Sequence, residues 1–216
     1  CNHSDYYGRY AFDRQPTISK FNLSCFAQAL LPLLDNVAEE AAAIARTALD
    51  AFDSQFNDHF EKLCRQKLGL QLDHDSDTQL YASLLTLLDH NNVDYTRFFR
   101  ELNRFTATNE NNNIRDMFID RKAFDYWAKQ YSRRLLWENS NDQARRQLMD
   151  RVNPKYILRN YMAEIAIGKA TQDRDYSEID RLLNLLHAPF DEHPDMEHYA
   201  AEPPDWAERI EVSCSS

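Results

Sequence analysis

Residues Arg151 to Ala170 read RVNPKYILRNYMAEIAIGKA, and the reading of this stretch decides the fold class. Pro154 suits the first turn of a helix, because its missing N–H is one of the amides left unbonded there. Asn153 before it can cap the freed amides. From Tyr161 to Ala170 only Glu164 and Lys169 are charged. A helix apolar on nearly every side has to be buried on nearly every side, so this segment is expected at the centre of a helical domain. Leu158, Met162 and Ile165 share one face, with Tyr161 and Ile167 away from it. Arg159 and Asn160 are polar groups beside that core and require partners.

Working outward, helical periods recur and no alternating strand pattern interrupts them. Residues 21–34 are expected as a first helix, ended or kinked near Pro32, with Phe26, Leu30 and Leu33 or Leu34 as its stripe. Residues 36–68 form a long one, through Val37, Ala41, Ile44, Ala48, Phe52, Phe56, Phe60 and Leu63. Asn36 with Glu39 fits a capping box, and Gly69 fits a C-cap. Cys64 beside this stripe reads as a buried small apolar group. Asp73, Asp75 and Asp77 have the spacing that opens a calcium loop, but Thr78 stands where that loop needs Gly and Leu84 where it needs a bidentate Glu. They read better as an N-cap cluster for a helix over 78–89 that turns Leu80, Leu84, Leu87 and Leu88 inward. Further helices are expected over 94–105 (Phe98, Leu102, Phe105 inward) and 123–138 (Phe124, Trp127, Tyr131, Leu135 inward). Another leads from a capping box at Ser140–Gln143 to Met149, and a last one is capped by Asp175 and Glu178 and stopped before Pro189. The expectation is an all-α chain in three stretches: a loop over 1–19, a helical domain over 20–189 and an acidic tail over 190–216.

The net charge of -10 is unevenly placed. Residues 190–216 hold eight acids against Arg209, while residues 115–159 hold eleven basic residues against six acidic ones. Two readings stand: the acidic tail lies across the basic middle, or both are solvated faces that do not meet. The overall sign and the lack of a dense basic block disfavour a nucleic-acid partner. With only 3 glycines, scattered, a phosphate-cradling loop is not expected. No apolar run is long enough to span a membrane, so a soluble, cytoplasmic chain is expected. Its first residue is Cys1, not Met, which reads as a piece of something longer. Cys1, Asn2, His3 and Asp5 hint at a metal site, but no second close Cys or His completes it; a hydrogen-bonded loop is the favoured reading. Two of the four cysteines, Cys1 and Cys214, lie at the extreme ends. An exposed terminal thiol can exchange, and a bridge between the two is one option that composition leaves open.

Two end motifs are distinctive when taken together. The first is Cys1-Asn2-His3-Ser4-Asp5 followed by Gly8-Arg9-Tyr10-Ala11-Phe12-Asp13 and Gln15-Pro16. The second is Asn153-Pro154 with Arg159-Asn160 and the terminal Cys214-Ser215-Ser216. On these the chain resembles the carboxy-terminal half of the selenoprotein O (SelO, or YdiU) family, over nearly all of its length. Phe21 departs from the Trp the family often has ahead of Asn22-Leu23, and Cys214 replaces the selenocysteine of some animal members. The resemblance implies the helical C-lobe of a protein-kinase-like fold with a family-specific helical extension. It implies a full-length protein adenylyltransferase that binds ATP with Mg2+ or Mn2+ and transfers AMP to Ser, Thr or Tyr hydroxyls of protein substrates. The ATP and metal residues would lie upstream of Cys1, in an amino-terminal lobe that is this chain's first partner. The chain alone is then expected to be inactive and to bind no cofactor tightly, so no catalytic, cofactor or metal residue is assigned within it. The resemblance also implies a redox disulfide between Cys1 and Cys214. It makes Asp5, Arg9, Asn153, Arg159 and Asn160 candidates for structural or activation-segment roles. Arg9 would serve in an internal ion pair or a phosphate contact. The alternative is a non-enzymatic helical scaffold or protein-interaction domain, which would present a closed apolar surface where an enzyme fragment would expose one.

Overall fold

In a computed structural model of the chain, residues 5–108 and 111–210 are described. Among them there is no strand, and nine α-helices run in order: α1 Gln15–Leu34, α2 Ala38–Lys67, α3 Asp77–His90, α4 Tyr95–Leu102, α5 Asn112–Arg115, α6 Arg121–Trp137, α7 Asp142–Val152, α8 Asn160–Gln172 and α9 Ser177–His187. Short 3-10 segments span Phe12–Arg14, Pro194–Ala200, which is kinked at Met196, and Asp205–Arg209. No helix among the described residues is long and apolar enough to cross a membrane. The chain divides into two compact units, residues 1–60 with 209–216 and residues 61–208.

In the first unit, α1 begins at Gln15, six residues before the expected start at Phe21. Pro16 sits in its first turn, where a missing N–H costs no hydrogen bond. Pro32 lies in the last turn and the helix runs on to Leu34. No residue of α1 is buried. Phe26 and Leu33, expected in its inward stripe, are 61% and 81% exposed. Lys20 of α1 pairs with Asp53 of α2 at 2.5 Å. Along α2 the expected stripe is buried only at Ala41, with Ala45 buried beside it, while Val37, Ile44 and Phe60 are 46–52% exposed; Phe52, Phe56 and Phe60 stack at successive centroid spacings of 6.1 and 5.9 Å.

The second unit holds the main core. Leu80, Leu84, Leu87 and Leu88 of α3, Phe98 and Leu102 of α4, and Phe124, Trp127, Tyr131 and Leu135 of α6 are all buried in it, as their spacing predicts. Its three polar aromatics are satisfied: Trp127 Nε1 donates to the Leu80 carbonyl at 3.1 Å, Tyr131 Oη to the Leu68 carbonyl at 2.6 Å, and the Tyr81 hydroxyl shares a hydrogen bond with that of Tyr95 at 2.8 Å. Such bonds remove the cost of burying an N–H or O–H in an apolar core. Cys64 is buried there, and burial pushes its thiol pKa up. A smaller core gathers Tyr156, Met162, Ala166, Leu182, Leu185 and Tyr199.

Four expectations are corrected. The helix of the 151–170 stretch does not start at Pro154. Proline disfavours helical geometry in the residue before it, and Asn153 is extended (φ -99, ψ 104), so it ends α7 instead of opening α8. The N–H groups of Lys155 and Tyr156 then go to the Pro189 carbonyl at 2.8 and 3.1 Å, and helix resumes only at Asn160. Nor is α8 buried on nearly every side: Met162 and Ala166 are buried, while Ile165 and Ile167 are 38% and 55% exposed. The cap of α7 is Asn141, whose Oδ1 accepts from Ala144 N at 2.9 Å, and not Ser140. Finally, Asp77 is not a surface cap. It is buried, and its carboxylate takes Arg134 Nε at 2.6 Å, with Glu138 accepting from the same guanidinium at 3.0 Å. Asp73 pairs separately with Arg65 at 3.2 Å.

Asp77 and Gly69 therefore make quantitative predictions for chemical denaturation. Losing a surface cap costs about 1 kcal/mol, whereas orphaning a buried ion costs about 3–5 kcal/mol. Asp77→Ala is expected in the larger range and Asp75→Ala near zero; a loss near 1 kcal/mol for Asp77→Ala would restore the capping role. Gly69 closes α2 at φ 69, with Leu70 N donating to the Arg65 carbonyl at 2.9 Å. A Cβ there would stand 2.5 Å from Arg145 Cγ and 2.7 Å from Met149 Sδ. Overpacking and the left-handed backbone both act against Gly69→Ala, which should lose about 2 kcal/mol or more.

Candidate functional site

Two groups of the sequence-nominated residues take part in built local structure, one in each unit. In the first, Asp5 organises a turn: its Oδ1 accepts from Arg9 N at 2.9 Å and its Oδ2 from Tyr10 N at 2.8 Å. Gly8 supplies the left-handed residue the turn requires (φ 61). Gln15 Nε2 donates to the Tyr10 carbonyl at 2.8 Å and ties the turn to the start of α1. The Arg9 guanidinium lies over the rings of Tyr10 and Phe21, 5.7 and 5.1 Å from their centroids. Among the described residues it meets no carboxylate side chain. Tyr6, Tyr7 and Phe12 project from this pinned backbone and are 86–98% exposed. Asp5 and Arg9 are thus joined through the backbone N–H of Arg9 and not through its guanidinium.

In the second unit, Asn153 is buried and grips Lys67 twice. Its Nδ2 donates to the Lys67 carbonyl at 2.9 Å, and its Oδ1 accepts from Lys67 Nζ at 3.0 Å. The ammonium also lies 5.1 and 4.8 Å from the ring centroids of Tyr95 and Phe99, a cation–π setting. Burial lowers the pKa of this lysine. Arg159 caps no helix with its side chain; its Nη1 donates to Asp94 at 2.7 Å, and Asp94 is also the N-cap of α4 through Arg97 N. Burial raises the Asp94 pKa, but the Arg159 and Arg97 hydrogen bonds outweigh it and the net shift is downward. Asn160 opens α8 as an exposed residue. Asn153 and Arg159 fasten helix ends, Asn160 only opens α8, and the three do not converge on one reacting centre. Cys1 and Cys214 lie outside the described residues. Among the described residues no group of three or more His, Cys, Asp or Glu side chains is gathered to hold a metal ion.

What the motif reading missed is an ionic seam next to Asn153. Arg100 donates to the carbonyls of Asp150, Asn153 and Phe190 at 3.1–3.2 Å and to Glu192 at 2.8 Å. Lys155 meets Glu192 and Glu197, each at 2.5 Å, and Arg97 meets Glu202. The tail does meet the body, but of the expected basic segment only Lys155 takes part, and Arg97 and Arg100 of α4 supply the other contacts. The signal for it was the charge asymmetry itself. The hydrogen bonds from Lys155 and Arg100 hold the Glu192 carboxyl down at about 2.

A depressed carboxylate pKa stabilises the fold above its unfolded value, near 4.5, and that stabilisation is lost as pH falls toward about 2. Glu192 is 61% exposed, so solvent screens the effect. The melting-temperature advantage of wild type over Glu192→Gln should be full at pH 6 and shrink steadily from about pH 4.5 downward. An advantage independent of pH would show that the ion pairs contribute nothing.

Comparison with known proteins now adds to this geometry. The family described as "Protein adenylyltransferase SelO" matches residues 1–187. The chain is 49% identical over 226 aligned residues to the protein nucleotidyltransferase YdiU of Cupriavidus metallidurans, covering all of this chain and 41% of that protein. It is 52% identical over 216 residues to the YdiU of Thioalkalivibrio sulfidiphilus, covering all of this chain and 44% of that one. The YdiU of Aliivibrio salmonicida is 49% identical over 216 residues, with 43% of its length covered. The chain thus spans less than half the length of the curated relatives it matches. It belongs to the SelO family of protein adenylyltransferases.

Proposed function

We propose that this chain is the carboxy-terminal, C-lobe-like part of a cytoplasmic protein adenylyltransferase and is inactive by itself. The whole protein moves AMP from ATP to Ser, Thr or Tyr hydroxyls of proteins: the hydroxyl oxygen bonds to the α-phosphorus and pyrophosphate leaves. Family membership supports the reaction class. The described residues do not fit a metal-nucleotide site, since they gather no metal-binding group, so no chemical step is assigned to them. ATP with Mg2+ or Mn2+ is held by the part of the protein that the longer relatives possess. The Asp5–Tyr10 turn then serves as a rigid piece of the activation segment. Cys1 and Cys214 are proposed as a redox pair that tethers the tail.

The observation that carries this reading is α1. From Phe21 to Leu34 it has no charged residue, yet none of its residues is buried. A helix apolar on all sides is stable in water only when something covers it. Phe21, Phe26 and Leu33 are more than half exposed, and large apolar side chains exposed along one helix are what a covering partner would bury. This exposure argues for a missing lobe and against a self-contained scaffold.

Two measurements test this together. Radiolabelled AMP from ATP should be incorporated by the longer protein and not by the 216-residue chain. Cys25, exposed on α1, should react readily with a thiol reagent in the chain and at least tenfold more slowly in the longer protein, read by peptide mapping. AMP transfer by the chain alone, or equal Cys25 labelling in both, would contradict the proposal. Release of one bridged pair on reduction, mapped to Cys1 and Cys214, tests the tether separately.

A further inference from the structure

Beside the ionic seam lies a cleft of about 430 Å³ whose walls come from α4, α7 and the tail. That size falls within the range of ligand sites, about 300–1,000 Å³. Five cations, Arg97, Arg100, Arg104, Arg146 and Lys155, and four carboxylates, Glu101, Asp150, Glu192 and Glu197, line it. Arg97, one-third exposed, meets Glu202 of the tail, and the other four cations fall into two classes. Arg100 and Lys155 are only 12% and 13% exposed, and acids of the tail are laid onto them from outside. Arg104 and Arg146 stand more than half exposed and meet only acids close to them in sequence, Glu101 at 3.2 Å and Asp150 at 4.0 Å. Pairs of that kind are weak and screened by water. The cleft is also lined by Asn103, which is buried, and whose Oδ1 has no hydrogen-bond partner. A buried acceptor without a donor calls for an explanation.

We propose that this cleft is a docking site for an acidic polypeptide segment, which runs beside the chain's own tail and presents carboxylates to Arg104 and Arg146. The tail itself shows what the surface selects. Its Glu192, Glu197 and Glu202 each find a cation of the body. Its backbone is held as well, the Phe190 carbonyl accepting from Arg100 at 3.2 Å. A second acidic segment would meet the same chemistry: guanidinium forks that match carboxylates in two-pronged geometry. A peptide also brings backbone N–H groups, the donor type Asn103 Oδ1 lacks. The inference concerns partner recruitment and does not depend on whether this chain takes part in AMP transfer.

The test is fluorescence anisotropy of fluorescein-labelled hexaglutamate on the longer protein in about 50 mM salt, where screening is mild. Saturable binding is expected, lost for hexaglutamine. It should weaken about tenfold in the exposed-site variant Arg104→Gln/Arg146→Gln. The same loss in Arg133→Gln/Arg151→Gln, two exposed arginines outside the cleft, would mark mere charge attraction and overturn the proposal. Glu101→Gln frees Arg104 from its internal partner and should tighten binding several-fold; this keeps the test decisive if the double variant fails to fold. No saturable binding, unchanged affinity in these variants, or tighter binding of a single-stranded oligonucleotide of equal charge would each overturn it.

Discussion

The second unit depends on one guanidinium. Arg100 donates to the carbonyls of Asp150 and Asn153, which are left open at the end of α7, to the carbonyl of Phe190 and to the carboxylate of Glu192. Helix ends leave four carbonyls without partners, and burying them unsatisfied is costly. By answering two of them from α4 and reaching the tail with the same group, Arg100 fixes where α7 stops and where the tail begins. Asn153 completes the corner by gripping the far end of α2 through Lys67. Lys155, two residues on, carries the seam to Glu192 and Glu197. The small core under the tail, with Tyr156, Leu185 and Tyr199, closes against this frame.

Much of the helical core was legible from period alone. Spacings of three and four put Leu84, Phe98, Trp127 and Tyr131 inside, and they are inside, because burying apolar area is the largest favourable contribution available to them. Helix ends were less legible where local rules competed. At Asn153-Pro154 the helix-starting habit of proline conflicts with its effect on the residue before it, and the second prevailed because α7 already ran to Val152. Asp77 looked like a cap in sequence because its partner, Arg134, lies 57 positions away, beyond any local pattern. Of the nominated residues, Asp5 and Asn153 have firm structural work through hydrogen bonds that their side-chain types predict. The seam at Arg100 carried no motif, only an imbalance of charge.

The contrast between α1 and α8 explains why the centre of the fold was misplaced. In sequence, α8 has apolar residues on most sides and α1 an apolar stripe free of charge from Phe21 to Leu34. In α8 Lys169 pairs with Glu178 at 2.6 Å and Glu164 faces solvent, so half exposure is tolerated. In α1 only Lys20 is charged, and no residue of it is buried. The chain spans less than half the length of its relatives, so the simplest physical resolution is that α1 is a core helix whose covering belongs to the rest of the protein.

Hydrogen exchange of the α1 amides, compared between the 216-residue chain and the longer protein, tests that claim most directly. A helix at the centre of a core exchanges only through global unfolding, whereas an uncovered one opens locally. The account predicts that residues 15–34 are among the slowest-exchanging in the longer protein and among the fastest helical residues in the chain alone. Equal protection of α1 in both would mean that it is stable uncovered, and the reading of this chain as one part of a larger enzyme core would fall.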